Sequence, residues 1–243
     1  MSAIEMVMFD LSGTTVYDEG YVTDCLYRAA VETGIDTTES VIAQNIGTNK
    51  RHLFQFLLAR SQGSVISLEE MGTAQLDDAS LQTAEEAFRR YSELMIELYR
   101  KHVREVPGAE DTFRWLHEQG IKVATDTGFH RDITEAIMEG LGWLREGLVD
   151  CSVSVQDIPG ERGRPAPFMI FHAMQELNVH QVGAVVKVGD QPSDLLEGTN
   201  AGCTGVVGVL SGSLGAEALG AFRHTHIIPS VAELPSLLER SFL

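Results

Sequence analysis

The sequence predicts an α/β fold, a Rossmann-like, doubly wound parallel-sheet core interrupted by an inserted all-helical cap. Three observations carry this. From Gly108 onward, short apolar runs alternate with amphipathic stretches, the pattern of a parallel sheet covered on both faces. One further apolar run, Ala3–Phe9, stands alone near the N-terminus and has nothing to pair with unless it joins that sheet. Between them, from Tyr21 to Val103, no stretch reads as a strand. The core is therefore expected over residues 1–17 and 104–243, and the helical cap over 18–103.

The elements follow in order. Ala3–Phe9 reads as a buried strand, ended by the turn Asp10-Leu11-Ser12-Gly13-Thr14-Thr15. The insert opens with a helix near Val22–Val31 that stops before Gly34, then a short one over Thr38–Asn45 and a third over Lys50–Arg60. Leu81–Val103 reads as a long helix, because Ala84, Ala87, Phe88, Tyr91, Leu94, Met95, Leu98 and Tyr99 recur at three and four. Pro107-Gly108 ends it. Helices are then expected at Ala109–Gln119, Arg131–Leu141, Pro167–Leu177 and Ser193–Ala201. Strands are expected at Ile121–Thr125, Cys151–Val155, Ala184–Val188 and Thr204–Val209. A further helix, a strand at Thr225–Ile228 and a last helix at Val231–Glu239 close the chain.

Composition narrows the function classes. A chain of 243 residues with 44% hydrophobic residues is long enough for a sizeable core. Its net charge of −17 repels nucleic acid and anionic membranes, so neither is an expected partner. An anionic substrate would need a local cationic pocket and a metal ion. Cys25, Cys151 and Cys203 are scattered, without metal-site spacing, as expected of reduced thiols in a cytoplasmic protein. Neither a secretory leader nor a membrane span is expected, since the N-terminus lacks a basic segment followed by a long apolar stretch and no run of about 18 apolar residues occurs.

The polar clusters fall at strand ends. In an open parallel sheet, ligands bind outside the carboxyl ends of the strands. Asp10 ends the first strand, Thr125-Asp126-Thr127-Gly128-Phe129 the second, and Gly189-Asp190-Gln191-Pro192-Ser193-Asp194 the fourth. The third leads through a loop to Gly163-Arg164-Pro165-Ala166-Pro167. Asp10 and Asp190 on one sheet edge would share a hard divalent cation such as Mg²⁺. Thr127 and Arg164 would hold a phosphoryl group against it. Arg162 competes for the arginine's place, Asp126 reads as a polar strand end, His130 as a helix cap, and Lys187 as a structural residue inside an apolar strand.

Asp10-Leu11-Ser12-Gly13-Thr14-Thr15, Thr127, Arg164 and Gly189-Asp190…Asp194 resemble, in order, the four motifs of the haloacid dehalogenase superfamily. Within it the chain most resembles the phosphonatases, or phosphonoacetaldehyde hydrolases, and their relatives. Ser12 stands where most family phosphatases have an acid. The third motif carries Arg164 where most have lysine. Ile46-Gly47-Thr48-Asn49-Lys50 matches the Gly-x-x-Lys that carries the phosphonatases' imine-forming lysine. The chain departs at Leu53, where phosphonatases usually have histidine, and at Phe129, where they have tyrosine.

The resemblance implies Asp10 as nucleophile, with metal ligation by Asp10, the Ser12 carbonyl and Asp190, and by Asp194 through water. It implies Thr14 and Thr127 as donors to phosphoryl oxygens, joined by the N–H groups of Leu11 and Gly128, with Ser12, Gly128 and Phe129 lining the substrate. Physical chemistry supports part of it. A phosphatase protonates an oxyanion leaving group with a nearby acid, and the hydroxyl of Ser12 is far too weak an acid for that. Cleaving a C–P bond needs an electron sink instead, which an imine on Lys50 supplies. The expected substrate is phosphonoacetaldehyde or a related 2-oxoalkyl phosphonate. The alternatives are a Mg²⁺-dependent phosphatase of a small phosphate ester and a non-catalytic phosphometabolite sensor. The resemblance also implies a homodimer.

Overall fold

The structure is a computed structural model that describes residues 4–46, 49–64, 67, 71 and 76–242. The chain divides into two units, one of residues 1–18 and 99–243, the other of residues 19–98.

The first unit is built on six parallel strands in the order β3-β2-β1-β4-β5-β6. They are β1 Met6–Asp10, β2 Lys122–Thr127, β3 Cys151–Ser154, β4 Val185–Gly189, β5 Gly205–Val209 and β6 His226–Ile228. All five residues of β1 are buried, as a strand covered on both faces requires. The order reverses at β1: the chain first builds outward through β2 and β3, then returns to pair β4 with the other side of β1. Such a reversal opens a crevice at the strands' carboxyl ends. Register places chemistry there, with Asp10 opposite Asp126 and Phe9 opposite Val188.

Side-chain alternation gives β1 two packing faces. Phe9 meets Phe113 edge to face at 5.2 Å, and Phe113 meets Trp143 at 5.1 Å. Met6 and Met8 instead join Ala124, Val153, Met169 and Ile170 in one buried cluster.

The second unit contains helices α1 (Tyr21–Glu32), α2 (Glu39–Gln44) and α3 (Lys50–Ser61), and most of α4 (Asp78–His102). α4 begins three residues before the expected Leu81, because the Asp77 carboxylate accepts the Ser80 N–H at 2.8 Å and so caps an earlier turn. Phe54, Phe88 and Tyr91 bring aromatic rings together at 6.2 and 6.4 Å. Arg51 lies 4.5 Å over Phe88 and forks onto Glu85 at 2.7 and 2.9 Å.

The remaining helices, all in the first unit, are α5 Ala109–Glu118, α6 Arg131–Leu141, α7 Phe168–Glu176, α8 Pro192–Ala201, α9 Ala216–Gly220 and α10 Leu234–Ser241. Two further expected elements change. β3 stops at Ser154 because the Asp157 carboxylate takes both the Ser154 N–H (2.7 Å) and hydroxyl (2.9 Å), folding Val155–Asp157 into a 3₁₀ turn. The expected last helix splits into a 3₁₀ turn, Val231–Glu233, and α10, with Pro235 in the first turn of α10. Among the described residues, no helix is long and apolar enough to cross a membrane.

Candidate active site

The turn after β1 is built from the Leu11 carbonyl, which accepts the N–H groups of Thr14 (3.2 Å), Thr15 (2.9 Å) and Val16 (2.7 Å). Gly13 closes it at φ 85°, a backbone region that L side chains disfavour. The Asp190 carboxylate presses on this glycine: a Cβ on Gly13 would lie 2.7 Å from Asp190 Oδ2. Thr14 donates its hydroxyl to Asp190 Oδ1 at 3.2 Å, and Gln191 Nε2 donates to Oδ2 at 2.6 Å. A Cβ on Gly212 would meet the same oxygen at 2.0 Å. A side chain at either glycine would therefore force the Asp190 carboxylate to move.

Arg164 gathers the other acids. One guanidinium nitrogen, Nη2, reaches Asp10 Oδ1 at 2.6 Å, Asp126 Oδ1 at 2.5 Å and the Asp126 carbonyl at 2.8 Å. Nη1 lies 2.6 Å from Asp194 Oδ1, and Nε 3.5 Å from Glu197 Oε2. Beneath it, Lys187 is fully buried in β4. Its ammonium sits 2.5 Å from each Asp126 oxygen, 2.9 Å from Glu197 and 3.5 Å from Asp194. Asp194 and Glu197 are three apart on α8 and so share one helix face. Asp194 also accepts the Gln191 N–H at 3.0 Å, capping α8.

Five buried carboxylates, Asp10, Asp126, Asp190, Asp194 and Glu197, therefore face two cations. Burial pushes the Asp190 carboxyl well above the ordinary carboxylate range, and the neighbouring Asp10 and Asp194 push it further. Burial, partly countered by Arg164, lifts Asp194 to about 6. Glu197 is raised well above its usual value by burial and by Asp126. Burial alone would raise Asp126 too, but Arg164 and Lys187 outweigh it and hold Asp126 below its usual value. Burial disfavours the charge on Lys187, yet Asp126 and Glu197 raise its pKa above the normal lysine value.

This donor set fits a hard divalent cation. It is all oxygen, buried and short of positive charge. The acids that repel one another, Asp190 with Asp10 and Asp194, are the ones a cation would relieve. Among the described residues, one oxygen each of Asp10, Asp126 and Asp194 lie within 4.8 Å of one another. Both Asp126 oxygens are engaged by Lys187, however, so Asp126 serves better as a countercharge than as a ligand.

The expected site residues distribute as follows. Asp10, Thr14, Arg164, Asp190 and Asp194 come together. Thr127 ends β2 beside Asp126, and its hydroxyl oxygen accepts the Phe129 N–H at 3.1 Å. Gly128 is exposed. Phe129 is buried with its ring 6.1 Å from that of Tyr99. Ser12 donates its hydroxyl to Asp18 at 3.0 Å. Arg162 turns away and stacks 4.4 Å over Phe168, which leaves the third motif's role to Arg164. His130 precedes α6 without a side-chain cap and lies 3.5 Å from Glu161.

Lys50 belongs to the second unit. It is the first residue of α3, half-buried, with its amine donating to the Ile46 carbonyl. Asn49 caps that helix by accepting the His52 N–H at 3.2 Å. Leu53, in place of the usual histidine, is fully buried. Gly47 and Thr48 of the expected lysine motif lie outside the described residues.

Sequence reasoning missed Glu197, Asp18 and Gly212, and read Asp126 as a mere strand end. A signal existed for Glu197: an acid one turn after Asp194, in a helix that also carries Leu195, Leu196 and Gly198. Gly212 had none.

This chain belongs to the haloacid dehalogenase-like hydrolases, whose family model matches residues 4–202. It is an enzyme, a hydrolase of that family. Its similarity is more particular still. It is 30% identical to a phosphonoacetaldehyde hydrolase of Hahella chejuensis, over 97% of this chain and 86% of that one. It is 29% identical to one of Parabacteroides distasonis, over 88% of this chain and 78% of that one. Among solved structures, a hydrolase from Pseudomonas syringae superposes with a TM-score of 0.78 at 19% identity, over 98% of this chain and 100% of the other. A phosphonoacetaldehyde hydrolase-like protein from Oleispira antarctica superposes at 0.77 with 21% identity, over 98% and 92%. These two likenesses establish the fold.

Proposed function

We propose that this hydrolase cleaves the C–P bond of phosphonoacetaldehyde or a closely related 2-oxoalkyl phosphonate. The observation that carries the reading is Asp10 paired with Arg164 among buried carboxylates, in a chain whose relatives bear the name phosphonoacetaldehyde hydrolase. Ser12 in place of an acid, and Lys50 in the insert, support the C–P specialisation.

The steps assigned to the chain are these. The neutral amine of Lys50 adds to the substrate aldehyde and loses water, giving an imine. The imine is an electron sink one carbon from phosphorus. Arg164 holds one Asp10 oxygen and so orients the carboxylate toward phosphorus. Asp10 attacks, the C–P bond breaks, and its electron pair is stored as an enamine. Thr14 and Thr127 donate to phosphoryl oxygens. Water then hydrolyses the aspartyl-phosphate on Asp10, and hydrolysis of the protonated enamine releases acetaldehyde and frees Lys50. Mg²⁺, held by Asp10, Asp190 and the Ser12 carbonyl, with Asp194 through water, would neutralise charge so that an anionic phosphoryl group can approach a carboxylate.

Borohydride trapping tests the reading. Incubation with phosphonoacetaldehyde and reductant is expected to add an alkyl group at Lys50, found by peptide mass spectrometry, and Lys50→Ala is expected to lose both adduct and turnover. One observation favours the rival, a phosphatase of a small ester: Asp18 places a carboxylate against Ser12, close to where an acid is missing. No adduct at Lys50 together with rapid phosphate release from esters would decide for that rival.

A further inference from the structure

Ser12 occupies a place between residues that define the phosphoryl site. Asp10, two residues earlier, pairs with Arg164 at 2.6 Å. Of the two residues immediately after, Thr14 donates to the Asp190 carboxylate at 3.2 Å, and a Cβ on Gly13 would collide with it. In that position the Ser12 hydroxyl is not idle. It donates to Asp18 Oδ2 at 3.0 Å. A serine alone is a poor base, but a serine whose proton already points at a carboxylate can pass a second proton along.

Asp18 is held where it is by the fold. Val16 bridges antiparallel to Glu105. The Tyr17 N–H donates to the Arg104 carbonyl at 3.0 Å, and the Val106 N–H to the Thr15 carbonyl at 2.7 Å. The Arg104 guanidinium stacks 4.1 Å over the Tyr17 ring. The Gly13 N–H donates to the Val16 carbonyl at 2.8 Å. These contacts clamp the segment between Ser12 and Asp18 from both sides. The two residues are six apart in sequence, so the hydrogen bond between them depends on this folding of the turn.

We propose that Ser12 and Asp18 form a proton relay that serves the hydrolysis of the Asp10 phosphoenzyme. The proposal rests on Asp10 being the nucleophile. Water attacks phosphorus, and its oxygen forms the new P–O bond. The water proton passes to Ser12 Oγ as the serine's own proton passes to Asp18 Oδ2. The bond between phosphorus and the Asp10 oxygen breaks, and its electron pair returns to the Asp10 carboxylate. The products are hydrogen phosphate, an ionised Asp10 and a protonated Asp18, with the total charge unchanged. Ser12 touches the reacting water and is the catalytic residue; Asp18 acts through it and is a positioning residue. The relay leaves C–P cleavage to the imine and supplies a base only for the second half of the cycle.

The two halves separate in a rapid-quench experiment with phosphonoacetaldehyde and Mg²⁺. Acid-quenched protein is weighed for phosphate on Asp10, and parallel samples are trapped with borohydride at Lys50. In Asp18→Asn, phosphate is expected to load onto Asp10 at the wild-type rate and to leave about 100-fold more slowly, within the range of acid–base catalysis. Phosphoenzyme should therefore accumulate. Ser12→Ala should also slow the loss of phosphate from Asp10, the double variant should lose it no more slowly than either single one, and Asp18→Glu should recover part of the loss. Equal dephosphorylation rates in wild type and Asp18→Asn would overturn the relay, as would an equal slowing of both half-reactions, the mark of a structural role. A wild type that forms neither adduct nor phosphoenzyme would instead bring down the Proposed function, and this proposal with it.

Discussion

Replacing Lys187 by methionine should cost this protein much of its stability without touching a residue that meets substrate. The ammonium is fully buried and lies within 2.9 Å of Asp126 and Glu197 and 3.5 Å from Asp194. Methionine has nearly the same length but no charge. Its introduction leaves five buried carboxylates facing Arg164 alone. Breaking a buried ion pair by removing one partner costs about 3–5 kcal/mol. In a chain of this size each kcal/mol shifts the melting temperature by about 2–4 °C, so a fall of about 6–20 °C is expected. Trp115 and Trp143, the only two tryptophans, both belong to the first unit. Tryptophan fluorescence during thermal unfolding therefore reads the unit that contains Lys187. Saturating Mg²⁺ should return part of the loss, because it restores positive charge to the same cluster. A change below about 1 kcal/mol, or a rise in melting temperature, would refute the argument that Lys187 is the countercharge on which the acids depend.

Two further outcomes follow from the site. Gly13→Ala places a Cβ at φ 85° and 2.7 Å from Asp190 Oδ2. It should cost about 1–2 kcal/mol in backbone strain alone and weaken Mg²⁺ binding by calorimetry, whereas unchanged affinity would show that Asp190 does not need its present position. In EDTA the protein should be more stable near pH 5.5 than near pH 7.5. Burial and neighbouring acids raise Asp190, Asp194 and Glu197 in the folded state, so the native protein keeps protons that the unfolded chain releases, and stability falls as pH rises from about 4 through 6 and beyond. Asp126 acts the other way, since its depressed pKa contributes stability above about 4 that is lost only in acid. Between pH 5.5 and 7.5 Asp126 is ionised in both the folded and the unfolded state and adds no slope, so the three raised acids set the sign. Urea unfolding across pH, with and without Mg²⁺, checks it, and stability that climbs steadily to pH 7.5 in EDTA would be the contrary result.

Much of the frame was legible from the chain alone. Helix α6 occupies the expected Arg131–Leu141, because its apolar spacing is regular and Gly142 ends it at φ 72°. β1 was legible from its apolar run and the acid that stops it. The end of β3 was not, because a side chain three residues on, Asp157, decides where the strand turns. Asp10, Asp190 and Asp194 stood out in polar clusters at strand ends and Arg164 in the loop beyond the third strand, and they do come together. Glu197 did not stand out. An acid inside a helix usually faces water, and only the packing of α8 under Lys187 makes this one buried. Asp18 was invisible for a different reason: it looked like part of an acidic linker, and the clamp from Arg104 and Glu105 arrives from a segment far along the chain.

The order of residues by itself determined the alternation of strand and helix, the helical insert, and which acids end the strands, because hydrophobic period and turn chemistry are local properties. Only the folded structure decided which charges share one buried space. That depends on register between strands joined by long crossovers, such as Asp10 beside Asp126, and on which carboxylate Arg164 and Lys187 reach. Charge compensation in a buried site is set by distances of a few ångströms, and spacing along a chain does not specify those.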